Sequence, residues 1–474
     1  MPRKYHIDTR PSPTRHRVPG RVSLIDWEEG CLKCTVCVKQ KCVYGVFKDR
    51  RIDPVSLADT ADMLCRHCYQ CVQGCPNRLI SKSINPEYEM MGDDYWTPAI
   101  LTQLYSQAET GKIPVSGAGY AGPFSGIGFD SMWTDMSEIV RPTRDGIHGR
   151  EYISTITDLG GKPPFLTFSP DGQLNLVQAS SVEIPAPFIL AAPEDRRVSP
   201  GLRTALAEAA CDLGTLFLVP VHDMDESYGR VKPHLMPRLN KGALWPDLEA
   251  YQQFKAVEID YWPGLNRWLD VFEKTNHHTV VSVRLPFSPG FTDCLEPLVN
   301  SGAGILHLTA DNQGRGFGFG SGAQDAPLLI DLIREAHFHL VDLNVRDEVT
   351  ILISGGIALA EHVAKSIACG ADAVVVDLAL WAALECRVCH DCLGQDVCPV
   401  DIEGAPVGWA RQRMVNLIGA WHNQLLEVLG AMGLREIRRL RGELGRVMFF
   451  EQLEEEAFGP IFGRRKTKKT IERR

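Results

Sequence analysis

Cysteine is the residue type whose spacing in this chain points most directly to chemistry. Twelve of the fifteen cysteines fall into three groups. The first reads CLKCTVCVKQKC and places Cys31, Cys34, Cys37 and Cys42. The second reads CRHCYQCVQGCP and places Cys65, Cys68, Cys71 and Cys75 directly before Pro76. No apolar stretch follows the basic start MPRKYHIDTRPSPTRHR, so a secretory signal is not expected. Grouped thiols in such a chain point to metal rather than to disulfides. The second group has the C-x2-C-x2-C-x3-C-P form in which three thiolates grip one cubane cluster and the fourth reaches across to another. The expected sets are therefore Cys31, Cys34, Cys37 and Cys75 for one [4Fe–4S] cluster, and Cys65, Cys68, Cys71 and Cys42 for a second. Zinc also uses CxxC pairs, but two consecutive CxxCxxC triplets favour iron–sulfur. The third group, Cys386, Cys389, Cys392 and Cys398 before Pro399, predicts a further cluster. Its four thiolates favour [4Fe–4S] over [3Fe–4S].

These ligands need a scaffold, and the sequence between the second and third groups supplies one. Eight apolar runs read as strands: 187–192, 215–220, 234–239, 255–260, 279–285, 303–310, Val349–Ser354 and Ala373–Asp377. Helical patterns such as GLRTALAEAACDLG and DCLEPLVNSG lie between several of them. The last two strands are apolar throughout, as in a parallel sheet covered on both faces. Eight strands alternating with helices predict an α/β fold, a (β/α)8 TIM barrel, with an open doubly wound sheet as the alternative. Barrel chemistry sits at the C-terminal strand ends. Those ends carry Arg284, Asp311, Asn312, the GRGFGFGSG loop, Ser354-Gly355-Gly356 and Asp377. Ser354, Gly355 and Gly356 stand between a strand and a helix, where backbone N–H groups can meet a phosphate; a plain tight turn is the competing reading. The GRGFGFGSG loop reads as a mobile lid or a plain flexible loop.

Length and charge limit the remaining possibilities. A chain of 474 residues allows two or three domains at about 150 residues each. The expected division is a ferredoxin-like two-cluster domain at 1–90, a linker leading into the barrel at 91–180, the barrel with the third cysteine motif at 181–405, and C-terminal helices with a basic tail at 406–474. Net charge is −9, so an acidic body argues against nucleic acid as the main partner. The tail RRKTKKTIERR carries seven basic residues and one acidic residue and reads as a solvated end. No apolar run approaches the roughly 18 residues that span a bilayer. Exposed clusters and free thiols suit a reducing, cytoplasmic compartment. RPTRDGIHGRE (Arg141–Glu151) reads as an ion-pair network in a linker, with His148 a weaker candidate acid. Helical spacing of Val407, Ala410, Met414, Ile418, Trp421, Leu425 and Val428 predicts a helix packed on the barrel or on a second copy of the chain.

Four stretches together resemble a known family: the first two cysteine groups, residues 96–155 beginning WTPAILTQLYSQAETGKIPVSGAGYAGPFSG, the strand-SGG unit, and the cysteines ending in CPVDI. They are similar to the FMN-binding domain of glutamate synthase, in the short archaeal-type form with an N-terminal two-cluster ferredoxin module. The resemblance spans about residues 20–450. It implies FMN in the barrel mouth beside an iron–sulfur cluster, with its phosphate near Ser354, Gly355 and Gly356 and its ring near Arg284. It also implies hydride transfer to 2-iminoglutarate, with electrons from ferredoxin or an NAD(P)H-oxidising subunit. Several positions depart from the family pattern. Arg284 stands where the family has lysine, VPVHDMDES replaces a Gly/Glu-rich turn, DNQGRGFGFGSG replaces DGGTGAS, and VDLA replaces a phosphate-gripping Gly-Thr. Cys389 is additional to the family's three-cysteine spacing. The chain starts Met1-Pro2 rather than with a nucleophilic cysteine, so a separate glutaminase chain or free ammonia is expected as nitrogen source. An electron-transfer subunit whose barrel has lost its original activity is the alternative reading.

Overall fold

A computed structural model describes residues 5–26, 30–32, 34, 36–47, 64–65, 67–113, 128–129, 132–134, 152–161, 167–175, 181–224, 226–242, 248–275, 278–319, 326–389, 398–449 and 459–462. The N-terminal cysteines sit on a small antiparallel pair, β1 (Val22–Asp26) with β2 (Ile80–Ile84). Between its strands lie a helical turn at Val36–Lys41 and a short helix at Gln70–Gly74. Val46, Phe47, Cys71 and Ile80 form a core of their own, against which Cys37, Cys42, Cys65 and Cys75 pack. Three further antiparallel pairs follow. They are β3 (Met132–Thr134) with β16 (Val447–Phe449), β4 (Thr157–Gly160) with β7 (Ser181–Ile184), and β5 (Thr167–Phe168) with β6 (Leu174–Asn175).

The remaining strands close into a parallel barrel: β8 (Phe188–Ala191), β9 (Phe217–Pro220), β10 (Leu235–Leu239), β11 (Ala256–Asp260), β12 (Val280–Pro286), β13 (Ile305–Thr309), β14 (Thr350–Ser354) and β15 (Ala373–Val376). β15 pairs with β8, which completes the ring and excludes the open sheet. All eight strands expected from sequence form. The crossovers between β9 and β11 carry short 3-10 turns, while α-helices Pro200–Leu213, Asn266–Thr275, Leu295–Asn300, Leu329–Asp342 and Ala360–Cys369 fill others. The first of these shows why such helices start and stop where they do. Ser199 caps Leu202 N–H, Pro200 opens the first turn, and Gly214 ends the helix at φ 65°.

Strand alternation decides what the barrel holds. Ile189, Leu218, Met236, Ala256, Val280, Ile305, Leu352 and Ala373 form the apolar interior. The next inward position lies two residues further along each strand. On β10 to β14 it brings Arg238, Glu258, Ser282, His307 and Ser354 to the upper layer. The lower end is shut by β4 and β7, whose Leu159, Val182 and Ile184 join the same cluster. Thr350 Oγ1 bonds both Gly160 N and Gly160 O at 3.0 Å and anchors this plug. Among the described residues the polar layer is therefore approached only from the C-terminal strand ends.

The expected helix at Val407–Ala431 forms and is covered by this chain itself. It packs against Pro200–Leu213 and Pro98–Thr110, with Ala410, Met414, Ile418, Trp421 and Leu425 buried. Arg413 is fully buried within it and bonds Ala383 O at 2.5 Å, Ser12 O at 2.8 Å and Tyr105 O at 3.2 Å. One guanidinium thus ties the N-terminal strap, the Pro98–Thr110 helix and the approach to the third cysteine group. Val428 is only partly buried.

Candidate cysteine clusters and barrel mouth

The four cysteines expected to share the second cluster are gathered by the fold. Cys42, Cys65, Cys68 and Cys71 line one cavity together with Lys41, Tyr44, Val46, Phe47 and Lys82. Lys82 Nζ lies 3.3 Å from Cys65 Sγ and offers a charged donor to a thiolate. Backbone geometry points the same way. His67 and Tyr69 flank Cys68 at φ 56° and 58°, in the left-handed region that residues with a side chain rarely adopt. Left-handed residues alternating with ordinary ones turn successive N–H groups inward and form concavities for anions and iron–sulfur sites. Among the described residues no three His, Cys, Asp or Glu side chains close around a single ion. A cubane asks for something different: its thiolates sit at separate corners of a cluster, so four thiols lining one cavity is the fitting arrangement. Of the other set, Cys31 and Cys34 are exposed, and Cys37 and Cys75 pack on the same small core. Leu79 N–H donates to Cys75 Sγ at 3.3 Å.

The third group lies beside the barrel mouth. Cys386 is buried, Cys389 and Cys398 are half-buried, and Cys392 lies outside the described residues. Glu385 and Val388 adopt φ 73° and 50°, repeating the left-handed pattern of the N-terminal loop. Burial pushes the Cys386 thiol up to about 12, against the pull of the Val388 N–H and the Arg196 guanidinium. Arg196 is buried and also lines the mouth, so one cation faces both the third cysteine group and the cavity. Arg141–Glu151, with His148, lies outside the described residues.

That cavity, of about 620 Å³, opens at the C-terminal strand ends. Seven carboxylates line it: Glu194, Asp195, Asp223, Glu258, Asp260, Asp311 and Asp377. Four arginines oppose them: Arg196, Arg203, Arg238 and Arg284. Arg284 lies 2.5 Å from Glu194 and 3.6 Å from Asp260, and Arg238 is held by the same two carboxylates. Deeper in the cavity, His307 Nδ1 is 2.6 Å from Glu258 Oε2, and His307 Nε2 is 3.0 Å from Ser354 Oγ. Glu258 is held below the usual carboxylate range: burial pushes it up, and His307, Arg284 and Arg238 outweigh that push.

Ser354 and Arg284 reach the cavity as expected; Gly355 and Gly356 do not. Both glycines are buried, at φ 91° and 69°. A Cβ on Gly355 would strike the Ala310 carbonyl oxygen, and one on Gly356 would stand 2.6 Å from Gly314 Cα. Tyr95 donates its hydroxyl proton to Gly356 O, and Trp96 Nε1 donates to Asn312 O at 2.7 Å. Both glycines pack closely against neighbouring backbone, and neither lines the cavity. At the end of β15, Asp377 accepts from Leu378 N at 2.6 Å and takes the helix-terminal donor a phosphate would use. The cavity has room for a flavin ring, but these residues do not fit a phosphate dianion at that end. In the GRGFGFGSG loop the described part is tied down rather than free, with Phe317 N bonded to Phe287 O at 2.6 Å and Gly316 N to Pro327 O at 3.1 Å.

Sequence reading picked out Arg284, Ser354 and Asp377 but passed over Glu258, His307, Asp260 and Arg238. Their signal was present as charged residues at the inward phase of otherwise apolar strands. Similarity to known proteins agrees with the architecture. A family profile described as "Conserved region in glutamate synthase" matches residues 257–435, which include β12 to β15 and the third cysteine group. The archaeal-type glutamate synthase [NADPH] of Dehalococcoides mccartyi is 24% identical and aligns over 90% of this chain and 94% of its own. The archaeal glutamate synthase [NADPH] of Archaeoglobus fulgidus is 25% identical over 88% and 91%. The chain is similar to archaeal-type glutamate synthases over about nine-tenths of its length. Among solved structures, mandelate oxidase is 14% identical, covers 67% of this chain and 98% of its own, and superposes with a TM-score of 0.39.

Proposed function

We propose that this chain is an iron–sulfur oxidoreductase of glutamate synthase type that relays single electrons to a small acceptor at the barrel mouth. Reductive amination of 2-oxoglutarate to glutamate is the reaction that similarity to archaeal-type glutamate synthases favours. The observation that carries the relay is the gathering of Cys42 with Cys65, Cys68 and Cys71 around one cavity, as crossed ligation requires. Cys31, Cys34, Cys37 and Cys75 would hold the neighbouring cluster, and Cys386, Cys389, Cys392 and Cys398 a third. Bound clusters supply one-electron transfer; the chain positions them. Arg196, between the third group and the cavity, favours negative charge arriving on either side. The four-part division at 1–90, 91–180, 181–405 and 406–474 belongs to this reading. So do a ferredoxin or NAD(P)H-oxidising partner, a separate glutaminase chain or free ammonia, and a cytoplasmic setting. Among the described residues no helix is long and apolar enough to cross a membrane.

FMN enters on family grounds, and when bound it would supply hydride chemistry at the mouth. Because the phosphate end does not fit, no step is assigned to it. That misfit favours a second reading, an electron-transfer subunit whose mouth serves another ligand. Iron and sulfide analysis of anaerobically purified protein tests the relay. Three cubanes give about twelve irons per chain. Zinc in place of iron removes the relay, and a flavin spectrum in the same sample separates the two readings.

A further inference from the structure

Three residues of the mouth have no part in electron relay. Glu258, His307 and Ser354 come from β11, β13 and β14 and form one chain of hydrogen bonds, 2.6 Å and then 3.0 Å long. Glu258 is fully buried and Ser282 Oγ adds a donor to its Oε2 at 3.3 Å. An ionised Glu258 accepts from His307, which assigns the proton to Nδ1. Nε2 then presents its lone pair to the Ser354 hydroxyl. A nucleophile bonded to a base, with the base oriented by a buried carboxylate, is recognised by geometry and not by order in the chain. Local structure matches as well. Ser354 is the last residue of β14 and is followed by the left-handed Gly355–Gly356 turn into the Ala360–Cys369 helix. A sharp strand-to-helix turn presents a nucleophilic serine in the same way.

We propose that Glu258, His307 and Ser354 form an acyl-transfer triad, with Ser354 as nucleophile, acting on a small ester or primary amide. The cavity is of small-molecule size. Ser354 Oγ bonds to the acyl carbon as its proton passes to His307 Nε2. The bond to the leaving group breaks as Nε2 returns that proton to the departing alcohol or ammonia. Water then attacks the acyl-serine, gives a proton to Nε2, and releases the acid as Ser354 regains its hydrogen. Glu258 keeps its charge and acts as a positioning residue. The charged groups around His307 are Glu258 on β11, Arg284 on β12 and Arg238 on β10.

The test uses full-length protein with its cofactors in place. A fluorophosphonate probe is applied and adducts are mapped by mass spectrometry, with hydrolysis of p-nitrophenyl acetate followed in parallel. We expect one adduct on Ser354, none in Ser354→Ala, and labelling slowed about 10²–10⁴-fold in His307→Gln. Glu258→Gln slows labelling, because an amide no longer fixes the His307 tautomer that leaves Nε2 free to accept from Ser354. The proposal is overturned by wild-type protein that forms no Ser354 adduct and hydrolyses the ester no faster than Ser354→Ala. Labelling of a folded His307→Gln at the wild-type rate overturns it too. Iron content is unaffected by these variants, so failure here is distinguishable from failure of the relay.

Discussion

Asp377 offers a quantitative handle on the mouth, because burial raises its carboxyl to about 6 from an ordinary 3.8. Its bond from Leu378 N–H pulls the other way and does not compensate; nearby Glu194 and Asp195 add to the rise. The folded state therefore holds a proton between about pH 4 and 6 that the unfolded chain has released. Stability falls as pH rises through that window and stays lowered above it. A shift of about two units corresponds to about 3 kcal/mol at neutral pH. The side chain is half-buried, and solvent screening reduces this to about 1–2 kcal/mol. Asp377→Asn keeps an oxygen to cap Leu378 and removes the charge. It should raise the melting temperature at pH 7.5 by roughly 2–6 °C for a unit of the barrel's size. Near pH 4.5, where the folded carboxyl is largely protonated but the unfolded one is still mostly ionised, the gain should fall to roughly one-third. Differential scanning at both values reads the variant-minus-wild-type difference, in which the acid response of the rest of the chain cancels. An equal gain at both pH values, or a loss at pH 7.5, refutes the assignment of a buried, disfavoured charge. If that charge also blocks the phosphate end of the cavity, the variant should take up more FMN than wild type in equilibrium dialysis.

Three further outcomes are expected. Cys42→Ser should perturb the EPR signal of the cluster held by Cys65, Cys68 and Cys71; a change confined to the cluster of Cys31, Cys34 and Cys37 contradicts crossed ligation. Gly356→Ala should destabilise the fold by at least about 1–2 kcal/mol in urea unfolding. Its φ of 69° disfavours a side chain and its Cβ would stand 2.6 Å from Gly314, so a neutral result means the turn is looser than described. Arg413→Met should lower stability by about 3–5 kcal/mol, since it strips a buried cation from three carbonyls and leaves Glu385 without its partner 3.8 Å away. A melting temperature matching wild type would mean that water replaces the guanidinium.

Much of this protein was legible before folding because the relevant signals are local. Spacing within a dozen residues names the cysteine groups, since a short loop can only wrap a short distance. Runs such as Thr350–Ser354 announce buried strands through their own side chains, and the Ser199–Pro200 start and Gly214 stop delimit a helix within one segment. Even the placing of Cys42 on one cavity with Cys65, Cys68 and Cys71 agrees with a repeated pattern. What sequence could not decide were relations between distant segments. Glu258, His307 and Ser354 lie 49 and 47 residues apart and meet only because barrel closure and register bring their inward phases to one level. Arg284 looked like a free cation at a strand end until β11 supplied Asp260 and the loop after β8 supplied Glu194. Gly355 and Gly356 looked open to phosphate until Tyr95 and Gly314 covered them. A strand's own residues determine which way each side chain points, but its neighbours determine what stands there to meet it.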